Sequence, residues 1–420
     1  MTTTPTASPA SAPPALAWGS ARLLAGTSEG RADLAAHRAA HGPTHPYDVH
    51  RLTMALEAVR LLGHGGAAFP VAAKLRATPA GRRTQVVVNG SEGEPASHKD
   101  RTLMRSAPHL ILDGAIAVAR AVDTRHVSVV VADPAAHASL TAAVRERDDA
   151  RTVRIVRHAH GYVGGEIRAV TRALSGEPAV PPGRRVLPTV HGVGGHPTFA
   201  SNVETFAQIG LLLSLGVDQF ASVGAADEPG TTLLTVLGDL PHPALAAGAV
   251  LEIPTGLPLA LLVGSAPGPV LIGGYHGTWL DGPGSLVLSR PSLRAAGAPL
   301  NAAVVARLPE TTCPLGEVTA VAGWLAEQST GQCGPCYFGL PAVARTLHQL
   351  LRGAAVEDQA LARAGLLRGR GACAHPDGAS TFVGSALAVL DEEIRVHRTH
   401  GHCGRPWQGV LPTDQEGGAR

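Results

Sequence analysis

The chain has 420 residues, of which 45% are hydrophobic, 3% aromatic and 16% charged, with a formal charge of +2. That length allows about two to four domains, and the apolar fraction is enough for real cores. The near-neutral balance and scarce aromatics argue against a nucleic-acid-binding stripe or base-stacking platform.

Residues 1–14 are rich in Thr, Ser, Pro and Ala, with no basic or apolar segment. They predict a tail and leader over 1–45, partly disordered, and no signal peptide. Helical spacing of Val49, Leu52, Ala55, Leu56 and Val59 predicts a helix over 48–62. A Gly-rich run and a helix start at 71–76 follow. Gln85-Val86-Val87-Val88-Asn89 reads as a buried strand, 108–122 as a helix and 126–131 as a second buried strand. This alternation predicts an α/β layer over 46–227. The pattern breaks near 224–230, and strands at 231–237 and 270–272 suggest a small α+β unit over 228–295. Four helices, at 318–325, 341–351, 356–367 and 381–396, then predict a bundle over 296–412. All five cysteines, 313, 333, 336, 373 and 403, lie there. The longest apolar run, 209–217, falls short of the ~20 residues of a spanning helix. A cytoplasmic protein is expected, with any membrane contact made through a partner.

Lys74 and Lys99 are the only lysines, against 33 arginines. A compact ammonium kept in so Arg-biased a chain suggests work that a planar guanidinium does poorly, such as binding phosphate. Lys74 follows Gly63-His64-Gly65-Gly66-Ala67-Ala68-Phe69-Pro70, where glycines and a helix start could admit a phosphate; the alternative is an ordinary turn. Asn89-Gly90-Ser91-Glu92-Gly93-Glu94 leaves the first buried strand at its carboxyl end, where open α/β sheets bind ligands; the alternative is a solvated acidic turn. Cys333-Gly334-Pro335-Cys336 points two thiolates at one centre, with Cys373 37 positions later. On spacing alone, iron–sulfur and a Cys₄ zinc site of Cys333, Cys336, Cys373 and Cys403 stay open. Cys313 reads as a buried hydrophobe.

Taken in order, these pieces resemble the flavoprotein (51-kDa-type) subunit of respiratory complex I and of NAD-linked hydrogenases and formate dehydrogenases, over 61–397. The resemblance rests on Gly63 to Pro70, Asn89 to Arg101, Tyr162-Val163-Gly164-Gly165-Glu166, Asn202-Val203-Glu204-Thr205, Leu271-Ile272-Gly273-Gly274, Ser329 to Cys336, and Cys373. It implies a Rossmann-like FMN/NADH domain, a small α+β ubiquitin-like (SLBB) domain and a helical bundle carrying a [4Fe–4S] cluster. It also implies that Gly63, Gly65, Gly66 and Phe69 line the cleft and that Lys74 faces phosphate. Asn89, Glu92, Gly165, Glu166 and Asn202 would surround FMN, and Glu94 would sit near the nicotinamide; Glu92 and Glu94 are the catalytic candidates. The implied activity is NAD(P)H oxidation, with electrons passing from FMN through the cluster to a ferredoxin-like or membrane redox partner.

The chain departs from that pattern at His64, Ala68, Leu75, Ser91 and Ile167. The last stands for a second Glu and implies weakened NADH binding. Thr330 stands where the first cluster cysteine belongs, so with Cys333, Cys336 and Cys373 either the cluster is three-iron or labile or a fourth ligand comes from elsewhere; Cys403 is the best candidate for that ligand, with His375 and His402 as substitutes. The competing expectations are a non-catalytic electron-transfer or assembly subunit of the same fold, and a zinc-stabilised binding protein.

Overall fold

The computed structural model describes residues 14–413, apart from 46, 159–160, 184–185, 242–244 and 246–247. After a short strand β1 (Ala15–Ala17), the first layer is a parallel sheet of β2 (Gln85–Gly90), β3 (His126–Val131), β4 (Val153–Arg157) and β5 (Thr198–Asn202), in the order β4-β3-β2-β5. β2 and β3 are Val-rich because a parallel sheet covered on both faces demands it; Val86, Val87, Val88, Val129 and Val130 are all buried. The chain proceeds outward from β2 through β3 to β4, then returns to place β5 on the other side of β2. The order therefore reverses between β2 and β5, and a parallel sheet of this order places its ligand crevice at those carboxyl ends. In register, Asn89 lies opposite Asn202.

Helices Val49–Ala58, Pro108–Ala121 and Val203–Phe220 pack on this sheet. Pro108–Ala121 meets Val203–Phe220 backbone to backbone. A Cβ on Gly114 would lie 1.9 Å from the Phe206 carbonyl oxygen, and one on Gly210 2.3 Å from that of Leu110. Neither contact can yield by rotating a side chain. We expect Gly114→Ala to cost about 3 kcal/mol or more; a urea denaturation midpoint equal to wild type would refute this packing.

A hairpin of β6 (Gly224–Ala225) and β7 (Glu228–Pro229) leads into the second layer. Its sheet has the order β1-β9-β8-β12-β10-β11, with β8 at Thr231–Gly238, β9 at Val250–Pro254, β10 at Pro269–Ile272, β11 at Thr278–Asp281 and β12 at Val304–Arg307. This sheet reaches past the expected 228–295 unit at both ends. β12 lies inside the sheet beside β8, and β1, from the expected leader, runs parallel along β9 and covers its open edge.

The remainder is helical: Pro314–Glu327, Leu340–Leu351, Glu357–Gly365, His375–Val389 and Asp391–His400 around Leu325, Leu347 and Phe382. The single helix expected over 381–396 is two. Leu390 leaves helical geometry, and Asp391, Glu392 and Glu393 fill the first turn of a new helix, where its dipole favours acids. No described helix is long and apolar enough to cross a membrane; Val203–Phe220, which holds the longest apolar run, is broken at Gly216.

Candidate functional site

The crevice wall comes from the Gly-rich run. Gly63 N–H donates to the Phe69 carbonyl (2.9 Å), closing residues 63–69 into a loop, and Gly65 lies against the Asn202 side chain. Gly66 takes a positive φ of 94° against the Asn301 backbone, and Phe69 is half exposed at the loop's tip. Ala68, where the resembled run has Gly, sits at φ 47°. Lys74, one helical turn beyond, donates to the Ala200 carbonyl of β5 at 2.9 Å. No described carboxylate pairs with it, and burial lowers its ammonium to about 8. Asn89 donates to the Gly165 carbonyl (2.9 Å) and accepts from Ser91 N–H (3.1 Å), so strand end and Gly-Gly turn are tied together. A Cβ on Gly165 would lie 2.8 Å from the Ser91 carbonyl.

The three carboxylates expected at this site have different surroundings. Glu92 accepts from Ser97 Oγ (2.6 Å), from the N–H groups of Asp100 (3.1 Å) and Arg101 (3.0 Å), and from Arg101 Nε (3.2 Å). Burial opposes its charge, but Arg101 and Lys99 hold it below the usual carboxylate range. These bonds tie it to helix Lys99–Ser106. Glu166 caps helix Ile167–Leu174 and pairs with Arg168 at 2.8 Å. Glu94 alone has the environment of a proton-holding group. It is buried, accepts from Tyr275 N–H (2.7 Å) and the Tyr162 hydroxyl (3.4 Å), and burial pushes it up to about 8.

Lys99 does not face the crevice. It is 2% exposed and pairs with Asp100 (2.7 Å) and Glu204 (3.0 Å), whose charges outweigh burial and raise it. Glu204 also accepts from Thr232 Oγ1 and Leu233 N–H of β8. Lys99, despite burial, holds Glu204 down to about 2. Asn202 caps the helix after β5, accepting from Thr205 N–H (3.1 Å), and donates to the His64 carbonyl (3.1 Å) and Asp100. His64 is turned inward and neutral, lowered to about 3 by burial and by Arg290. Ile167 packs toward Val87, Val130, Val170 and Ala200, so a Glu here would set its carboxylate against apolar neighbours.

Sequence reasoning missed the junction between crevice and bundle. Tyr162 lies edge-on to His276, Trp324 and His375, and its N–H donates to Gln328 (3.3 Å). His276 and His375 are 3.0 Å apart, and the other His375 nitrogen faces the Leu325 carbonyl at 2.9 Å. Both imidazoles are lowered, chiefly by burial, and His375 has no nitrogen left for a metal. The Tyr162 motif, His375 and the Gly273-Gly274 turn before His276 were each marked in the sequence, but nothing there joined them.

Cys333, Cys336 and Cys373 come together from one helical turn and the loop before His375–Val389. Burial pushes the Cys336 thiol up to about 12, and the neighbouring Cys333 and Cys373 add to this. Cys373 is raised by burial, with Glu166 and Cys333 adding to it. Cys403 is not among them. It lies with Cys313, Glu393 and His397, and His402, on the same loop, accepts from Gly404 N–H. The turn at Gly401 does fold the chain back, as the sequence allows, but toward Cys313. This also removes the Cys₄ zinc alternative, and Cys313 is more than a packing residue.

These residues fit the groups the motifs implied. Ser91 Oγ is buried without a partner among the described residues, between Asn89 and Gly165, and Lys74 is a cation with no counter-ion among them. FMN would be held by Gly65, Gly66, Lys74, Asn89, Ser91 and Asn202. Three thiolates suit an iron–sulfur cluster with one position left without cysteine; Thr330, at that position, is hydrogen-bonded to Gln332.

A switch-point site joined to a cysteine-bearing bundle suits an iron–sulfur flavoprotein. Residues 56–211 match the Nuo51 FMN-binding domain and 317–397 the NADH-ubiquinone oxidoreductase-F iron-sulfur binding region. The F subunit of the NADH-quinone oxidoreductase from Streptomyces coelicolor is 29% identical over 372 residues, 82% of each chain. Its Salmonella typhimurium counterpart is 26% identical over 80% of this chain and 81% of its own. An NAD+-reducing [NiFe]-hydrogenase structure in the air-oxidised state superposes with TM-score 0.74 at 26% identity, over 83% of this chain and 63% of that one. The chain is a divergent relative of the flavoprotein subunit of complex I and NAD-linked hydrogenases, and FMN and an iron–sulfur cluster are the cofactors of its two matched regions.

Proposed function

We propose that this chain is the electron-entry subunit of a larger redox assembly, oxidising NAD(P)H and passing electrons through its cluster to a ferredoxin-like or membrane redox subunit. The observation that carries this reading is the Tyr162 junction: one side chain touches Glu94 beside the crevice and His375 two residues from Cys373. Flavin, when bound, supplies the conversion between two-electron and one-electron transfer. The chain's own part is geometric and electrostatic. Lys74 offers positive charge to a phosphate, Ser91 and Asn89 offer polar groups to a ring edge, and Glu94 holds a proton near neutrality. Exposed Tyr337 and Phe338, directly after Cys336, give a partner an apolar edge at the cluster.

The test is anaerobic spectroscopy of wild type and Lys74→Ala. Wild type is expected to carry flavin bands over a broad cluster absorption, both bleached by NADH. Lys74→Ala is expected to lose flavin affinity while keeping iron. Flavin and cluster present but indifferent to NADH and NADPH would favour the non-catalytic subunit instead, a reading supported by Ile167. Absence of flavin from reconstituted wild type would overturn both.

A further inference from the structure

Outside the cluster site, four potential ligands converge: Cys313, Glu393, His397 and Cys403 offer one atom each, all within 4.8 Å of one another. The separations are specific. Cys313 Sγ lies 3.4 Å from His397 Nε2 and 3.7 Å from Glu393 Oε1, and these last two atoms are 3.2 Å apart. Zinc bonds of about 2.0–2.3 Å at tetrahedral angles put ligand atoms about 3.3–3.8 Å apart. From this geometry we propose that Cys313, Glu393, His397 and Cys403 form a structural zinc site, distinct from the iron–sulfur centre.

The surroundings are those of a built site. Glu393 and His397 are one turn apart on helix Asp391–His400, so both face the same way. Gly401 in the left-handed region ends that helix and Gly404 repeats the turn, returning Cys403 beside His397. Cys313 caps helix Pro314–Glu327, with Gly316 N–H aimed at its sulfur at 3.3 Å, a position that favours thiolate. His397 Nδ1 donates to the Leu351 carbonyl at 2.8 Å, which fixes the tautomer that leaves Nε2 free as a ligand. Arg405 pairs with the second oxygen of Glu393. Two thiolates and one carboxylate against a divalent cation leave one negative charge, and Arg405 balances it. Two sulfurs, one nitrogen and one oxygen in a closed tetrahedron select zinc over magnesium or calcium. A Cys313–Cys403 disulfide would use neither the imidazole nor the carboxylate aimed at the same point.

The ion would pin the C-terminal strap. Beyond Cys403 the chain crosses helix Pro314–Glu327: Pro406 accepts from Cys313 N–H, and Gln408, Val410 and Leu411 donate their N–H groups to Glu317.

The experiment is metal analysis of the purified full chain, with X-ray absorption at the zinc edge, where iron does not interfere. One zinc per chain is expected, with two sulfur and two nitrogen or oxygen neighbours. Cys403→Ser should lose zinc affinity at least about tenfold, since weaker outer-shell changes already cost that much, with iron and flavin retained. Cys333→Ser should do the reverse. Absence of zinc, iron at this centre, a Cys313–Cys403 disulfide by mass spectrometry, or Cys403→Ser keeping wild-type zinc would overturn the assignment. Should Cys403→Ser not fold, the wild-type spectrum decides: a zinc shell without two sulfurs overturns it.

Discussion

Cys333→Ser is expected to abolish the iron–sulfur cluster, whereas Cys403→Ser keeps the iron content and the low-temperature EPR signal of the reduced protein. The contrast follows from placement. Cys333 neighbours Cys336 and Cys373, while Cys403 belongs to the group around His397. A serine hydroxyl is a poor iron ligand at neutral pH, so a set already short of one cysteine at Thr330 falls to two. Losing that second anchor removes most of the binding free energy that folding and metal share. Iron retained in Cys333→Ser, or lost in Cys403→Ser, would reverse the assignment of ligands.

The second large effect concerns Glu94 and pH. Its carboxyl titrates near 8 in the folded chain because it is buried, against 4.5 when exposed. Between those values the native state holds a proton that the unfolded state has released. Stability from this group is therefore complete below about pH 4.5 and lost as pH rises through about 8. At about 1.4 kcal/mol per unit, the upper limit is on the order of 5 kcal/mol. Glu94→Gln keeps an acceptor for Tyr275 N–H and cannot ionise. In flavin-free protein it should flatten the decline in denaturation midpoint between pH 5 and 8. Subtracting the variant from wild type isolates Glu94 from His64, which has the opposite sign: burial lowers it to about 3, so its contribution is present above 6.5 and lost toward pH 3. In the loaded protein the same substitution should remove the alkaline limb of the NADH–dye reduction profile. Parallel pH curves for variant and wild type would show that Glu94 is ionised throughout.

Much of this was legible in the residues. The Val-rich runs at 85–90 and 126–131 specify buried parallel strands because no other layer covers both faces of a strand. Gly-rich and Asn-bearing loops at strand ends specify a ligand crevice for a similar reason, since irregular backbone and polar groups gather where a sheet reverses. Local chemistry also marked Cys333 and Cys336, because a two-residue spacing on one turn brings two sulfurs together whatever the rest of the chain does.

Tertiary structure decided what sequence distance hides. Glu92 and Glu94 are two residues apart, yet one anchors a helix and the other is a protonatable group, because one meets Arg101 and the other meets Tyr275, 181 positions away. Lys74 and Lys99 looked alike, and packing against Glu204 made the second internal. β1 and β12 joined the small sheet from outside its apparent bounds, since strand pairing satisfies backbone groups irrespective of separation along the chain. Cys403 turned from Cys373 to Cys313 because Gly401 sets the direction of return, and a glycine in the sequence permits a turn without saying where it leads.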